Sequence, residues 1–409
     1  MLKLLLYLVF ITLSLGQFAA ISKQGEANIY LFDIFTGLFS VYGLFYYFSV
    51  KKRFLTPKYL ILFVLFTLFA LLSLAANLYK HNSSETLVAG FYLIRWVSYL
   101  LSGFVIFNML KHGDLDRGHL FNLVIWSGVF ISLAGFAQLV LLPDFETLSP
   151  VLGWDPHKNR LASTFFDPNF TGAYLSICLA ILFERFYTDM KGFTAFKLKE
   201  LLAQKQTIFL LLIFVAAFLT FSRSTWFFLG VIVFIYGLFK SKALLFLAIL
   251  VVFSAYFAVP RIQTRIAGIT DPADSASFRY ESWKDTSEMV QDNLLLGVGF
   301  NYMRYAKRDY GFLGPDKFLI HSGAGSDSSL LFVLATTGVF GFFTFLAAFF
   351  FPIIDQFVSR KKNWVLLVAV LTGLLAESQF INSLFYPQVL FLWVLLFASF
   401  SSSRSISGT

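Results

Sequence analysis

A single cysteine, Cys178, stands in a chain of 409 residues, and it lies inside an apolar run. Disulfides within the chain, iron–sulfur clusters and thiolate metal sites are therefore excluded. Histidine is almost as scarce: His81, His112, His119, His157 and His321 are the five, and they show no metal-ligand spacing. Charged residues reach only 13%, too few to coat a soluble domain of this length. Ten-residue strands of alternating polarity are also missing, which argues against a membrane β-barrel.

What the chain has instead is apolar side chains, 58% of residues, with aromatics at 19% and a mean hydropathy of +0.74. Many of them fall in runs of about 18 to 23 residues, which at 1.5 Å per residue match a hydrocarbon core of roughly 30 Å. The chain reads as an all-α integral membrane protein, a single domain over 1–409. The net charge of +9 raises the question of nucleic acid, but the basic residues sit between the apolar runs, so no nucleic-acid partner is expected.

Taken in order, the apolar runs are Leu2 to Ile21, Asn28 to Val50, Tyr59 to Asn77, Thr86 to Leu110, His119 to Leu142 and Pro168 to Tyr187. Then come Thr207 to Phe221, Thr225 to Phe239, Ala243 to Val259, Ser328 to Ile354, Trp364 to Asn382 and Leu384 to Phe400. Gly16, Ala19 and Ala20 give the end of the first run the look of a signal-peptide cleavage region, but with so many spans behind it we expect a retained helix. The short loops rich in Lys and Arg, around Lys51 to Lys58, Lys111 to Arg117, Lys191 to Lys205, Lys240 to Lys242 and Arg360 to Lys362, all fall on one side. About twelve spans with both termini cytoplasmic follow from the positive-inside rule. Pro143 to Asp167, Arg223 and the long polar interval Pro260 to Asp327 then share the outer face, the last as a large helical loop between spans nine and ten.

Chemistry is expected at that polar interval and its neighbours. Arg223, in FSRSTW, reads either as an interfacial residue above Trp226 or as an anion clamp, because guanidinium binds phosphate bidentately. Arg279 shares a predicted helix face with Trp283, Thr286 and Val290, and either pairs with a nearby acid such as Glu281 or Asp285 or serves an anion. Gly297 and Gly299 predict a tight turn. Asp327 or Ser328 is a candidate N-cap for the next membrane helix. Asp327 and His321 are also both of the types used as general bases. Asp33, Arg95 and Glu377 lie within apolar runs, where charge is usually paired or faces a polar cavity. Asp33 and Arg95 are each about 8 to 14 Å from the outer ends of their helices, a depth that permits mutual pairing. The abundant Phe and Tyr are expected mainly toward lipid and at the interfaces, and Gly338 with Gly341 at a close helix contact.

Several stretches together resemble the O-antigen ligase and polymerase superfamily of bacterial membrane glycosyltransferases. RLASTFFDPNFTGAYL is similar to that family's Gly-Thr-Phe…Asn segment, and FSRSTW to its Ser-Arg turn. RYESWKDTSEMVQDNLLLGVGF resembles its Arg…Trp…Pro-Leu-Leu-Gly-x-Gly segment, and DSSLLFVLATTGVFG its His-Asn-x-x-Leu…Glu-Thr-Gly-x-x-Gly helix start. The order and spacing agree over roughly residues 150 to 345.

The resemblance implies a glycan donor on a polyprenyl diphosphate carrier of the undecaprenyl type and an acceptor sugar on a glycan, lipid or protein. It also implies transfer without a metal or other cofactor, at the outer face of the cytoplasmic membrane. It implies that Arg223 and Arg279 bind the donor diphosphate, with Arg160, Asn169, Trp283 and Arg95 as possible supporting residues. Where ligases carry a histidine, this chain has Asp327, and His321 lies six residues upstream. Asp327 keeps the helix-start position and is favoured for the acceptor over His321. A ligase is favoured over a polymerase that joins carrier-linked repeats, and a lipid-linked sugar transporter or flippase is the rival of another class.

Overall fold

The structure, a computed structural model, describes residues 1–22, 27–147, 157–189, 205–268, 275–315, 318, 325–358 and 364–401. Among them are fifteen α-helices, and the only sheet is a two-stranded antiparallel ladder of β1 (Ala20–Ser22) and β2 (Ile29–Tyr30). The all-α expectation therefore holds.

The helices are α1 (Leu2–Leu15), α2 (Leu31–Phe45), α3 (Leu60–Ala76), α4 (Ser83–Lys111), α5 (Arg117–Leu141) and α6 (Pro168–Asp189). They continue with α7 (Lys205–Leu219), α8 (Arg223–Phe239), α9 (Lys242–Ala258) and α10 (Pro260–Ala267). The last are α11 (Ser275–Asp292), α12 (Met303–Asp309), α13 (Ser329–Val358), α14 (Trp364–Glu377) and α15 (Pro387–Phe400). Among the described residues, seven helical segments, those of α1 to α6 and α13, are long and apolar enough to cross a membrane. The pair α9 and α10, bent by 96° at Val259, makes an eighth if counted as one span. Each of the twelve expected runs is an apolar helix, but α7, α8, α14 and α15 have only 14 to 17 residues. At 1.5 Å per residue they fall short of a full hydrocarbon core.

The core is centred on α15, every residue of which is buried. Its Trp393 and Phe397 pack with Phe63, Trp96 and Phe349 in a cluster of rings 5.1 to 6.2 Å apart. The aromatic residues are thus not mainly a lipid coat: Phe48, Phe246 and Phe357 face outward, but Phe32, Phe39, Phe63 and Phe66 are fully buried. Burying a large ring removes more apolar area than any aliphatic side chain can, and helix packing in a bilayer relies on such van der Waals contact.

The buried Asp33 and Arg95 are paired, which offsets the cost of burying either charge alone. Arg95 Nη2 donates to Asp33 Oδ2 at 2.7 Å, and Tyr99 OH donates to Asp33 Oδ1 at 2.6 Å. The pairing that their similar depth permits is what the structure shows.

The polar interval 260–327 holds the helices α10, α11 and α12, with a turn between the last two. It is anchored on a break in α13 at Gly338, whose φ of 66° and ψ of −173° interrupt the helix. The Leu294–Val298 turn enters that break. Val298 N–H donates to Ala335 O at 2.8 Å and Val339 N–H to Leu294 O at 2.9 Å. Gly297 (φ +70°) lies against the α13 backbone, and a Cβ there would stand 2.5 Å from Ala335 O. Asn77 Nδ2, at the end of α3, donates to Gly297 O at 3.1 Å. The tight turn and the close helix contact expected at these glycines are therefore one feature, and it fixes α11 and α12 over the helix bundle.

Candidate functional site

Arg223 is the first residue of α8, behind Ser222, whose hydroxyl accepts from Thr225 N–H at 3.4 Å. Phe221 takes a left-handed φ of 46°, which turns the chain from α7 into α8 within a few residues. Two of the supporting residues brace this turn. Arg160 Nε donates to Thr220 O at 2.9 Å and its Nη2 to Asn169 Oδ1 at 3.2 Å, while Ser222 Oγ donates to the same Asn169 oxygen at 2.7 Å. On the other side, Arg223 Nη1 donates to Arg265 O on α10 at 3.2 Å.

Arg279 comes from α11, on the face predicted for it. Thr286 and Val290 are buried along that face, whereas Phe278 and Tyr280 point outward at 65% and 68% exposure. Burial lowers the Arg279 pKa; Asp327 opposes the shift and the Arg223 guanidinium adds to it. The strongest charges on Arg279 thus come from Asp327, Arg223, Glu377 and Asp167, not from its helical neighbours Glu281 and Asp285. Arg223 and Arg279, distant in sequence, are brought into one electrostatic environment. Arg160 joins it: burial, then repulsion from Arg265, pushes its pKa down to about 9. Arg160 and Arg279, both buried and repelled by further guanidinium groups, have the chemistry to pair with an anion.

Asp327 stands at the junction of α11 and α13. Its N–H donates to Ser282 Oγ at 3.1 Å, and its carbonyl accepts from Trp283 Nε1 at 3.3 Å. Trp283 therefore supports this loop and not the arginines. Of the two candidate caps of α13, Ser328 is the one used: its hydroxyl accepts from Leu331 N–H at 3.2 Å. Asp327 lines a cavity of about 300 Å³. Burial raises its pKa, against the lowering effects of Arg279 and Lys307.

The cavity is lined by Asp327, Asp167, Arg95, Asn28 and Gln17 among others, and eleven of its 25 lining residues are aromatic. Its volume is at the low end of the roughly 300 to 1,000 Å³ usual for small-molecule sites. Arg95 belongs to this cavity, beside the rings of Tyr30, Phe91 and Tyr92, and not to the arginine cluster. Asp167 borders both regions. Although burial raises its pKa, His157, the Phe170 N–H and Arg160 outweigh that and hold it below the usual carboxylate value. His321 lies outside the described residues.

Two residues at the site escaped the sequence reading. Lys307, buried on α12, donates to Gly325 O at 2.6 Å and senses the Asp327 charge. Glu377, read only as a charge within a span, is fully buried, hydrogen-bonded by Ser383 and felt by Arg279. Neither stands in a motif. A lysine four residues after Met303 and a glutamate ending an apolar run carry no local sign of what they face.

No curated protein matches the chain. Residues 208–346, from α7 to the first half of α13, match the family model described as O-antigen ligase. That stretch holds Arg223, Arg279, Trp283, Lys307 and Asp327, while Arg95, Arg160 and Asn169 lie before it. With its membrane-length helices the chain is a multi-pass membrane protein, and its residues 208–346 are similar to the O-antigen ligase family.

Proposed function

We propose that the protein transfers a glycan from a polyprenyl diphosphate carrier to an acceptor sugar, as an O-antigen ligase, on the outer face of a bacterial cytoplasmic membrane. In this reading the chain crosses the membrane twelve times, with both termini in the cytoplasm. The observation that carries it is that Asp327 lines the aromatic-rich cavity and acts electrostatically on Arg279, which the Arg223 charge also reaches. The arginines bind the carrier diphosphate, and the cavity takes the acceptor sugar, whose apolar ring faces suit aromatic walls.

The bond from the anomeric carbon to the diphosphate oxygen breaks and a bond from that carbon to the acceptor oxygen forms. The hydroxyl proton passes to Asp327, and the electron pair of the broken bond leaves on the diphosphate, whose added charge the guanidinium groups stabilise. In-line displacement inverts the anomeric centre, as the family resemblance implies. Braced by Arg160 and Asn169, Arg223 is held in position before the donor arrives.

The decisive experiment is transfer by the purified protein from a polyprenyl diphosphate-linked glycan. Arg279→Ala is expected to abolish it while the protein still inserts in the membrane, and full activity in that variant removes the diphosphate assignment. Growth of the glycan when the carrier-linked repeat is the sole sugar substrate turns the reading from ligase to polymerase.

A further inference from the structure

Asp327, as a proton acceptor, is buried, and burial raises its pKa, so its ionised form relies on nearby cations. Arg279 opposes the rise, but in the proposed reaction that guanidinium is engaged with the diphosphate. A second cation is built in close by. Lys307 lies on α12, only 7% exposed, and its ammonium is held by the carbonyl of Gly325, two residues before Asp327. The α12 residues Arg304 and Tyr305 line the same cavity as Gly325, Ser326 and Asp327, so the helix that carries Lys307 is part of the cavity wall.

The charged groups acting on Asp327 are Arg279 from α11, Lys307 from α12 and Asp167 from the segment before α6. Those acting on Lys307 are Asp327 and Asp285. Burying an ammonium is costly unless it serves a charge or a hydrogen bond, and Lys307 has both nearby.

We propose that Lys307 is a positioning residue that keeps Asp327 ionised and holds the Gly325–Asp327 turn against the cavity while Arg279 serves the donor. The inference rests on the glycan-transfer reading above and adds to it a charge partner for the base.

The test is the pH dependence of kcat/KM for transfer by the full-length protein, using a polyprenyl diphosphate-linked oligosaccharide and a glycan acceptor. Loss of Asp327 ionisation gives the acidic limb. Removing a neighbouring cation raises a carboxyl pKa, so Lys307→Gln, which keeps a hydrogen-bond donor without the charge, moves the midpoint of that limb upward by about one pH unit. Lys307→Arg brings it back toward the wild-type midpoint, and Asp327→Asn removes the limb together with most of the activity. Acidic limbs that coincide for wild type and Lys307→Gln overturn the inference while leaving the transfer reading intact. A wild-type protein that transfers nothing overturns the transfer reading first. If Lys307→Gln does not accumulate as monodisperse protein, Lys307→Met carries the same comparison.

Discussion

Asp33 and Arg95 show what a buried charge requires in this chain. Their side chains are 9% and 6% exposed, within hydrogen-bond distance of one another, and Tyr99 completes the carboxylate shell. Removing one partner of such a pair leaves the other buried without compensation, at a cost of about 3–5 kcal/mol. Arg95→Ala is expected to lower the unfolding temperature in detergent markedly, and adding Asp33→Ala to recover part of the loss. Additive losses in that double-mutant cycle count against the pairing. At the acceptor side, Asp327→Asn is expected to suppress transfer far more than His321→Ala, because Asp327 lines the cavity and acts on Arg279. The opposite order, measured as initial rates, assigns the role to His321.

At the scale of elements, the decisive contact is the insertion of the Leu294–Val298 turn into the break of α13. It links the segment that carries Arg279 to the membrane bundle through backbone hydrogen bonds. Gly338 is the position that permits it: its φ is left-handed and a Cβ would lie 2.1 Å from Leu295 O. The left-handed strain alone costs about 1–3 kcal/mol, and the backbone clash adds to it. Gly338→Ala is therefore expected to reduce both thermal stability and transfer, whereas Gly230→Ala, where a Cβ meets nothing within 4 Å, leaves stability nearly unchanged. Equal melting temperatures for the two variants, read by fluorescence in detergent, contradict the anchoring role.

For the whole molecule, the scarcity of cysteine becomes useful. Cys178 is buried, so a Cys178→Ser background allows topology to be mapped one position at a time. With twelve crossings and cytoplasmic termini, a cysteine at Ser277 is expected to react with a membrane-impermeant maleimide in intact cells, and one at Lys52 only after permeabilisation. Labelling of both from outside refutes the orientation. The apolar helices α7, α8, α14 and α15 are shorter than a full hydrocarbon core requires. Short helices span by thinning the bilayer or by packing behind longer ones, and α15 is wholly enclosed by protein.

The apolar runs, their boundaries and the face of α11 were legible along the chain because each depends on local periodicity and on the length of hydrocarbon to be crossed. Arg223, Arg279 and Asp327 were legible as candidates, since each is a charged or polar residue at the edge of an apolar run within a recognisable spacing. Their assembly was not. Which charge faces which, that Arg95 belongs to the cavity and not to the arginines, and that Ser328 takes the cap at α13 all depend on helices far apart in sequence. Lys307 and Glu377 make the same point more sharply, because desolvation and Coulomb interaction act through space. A linear sequence records residue type and order, but which side chains share a low-dielectric environment is decided only when the helices pack.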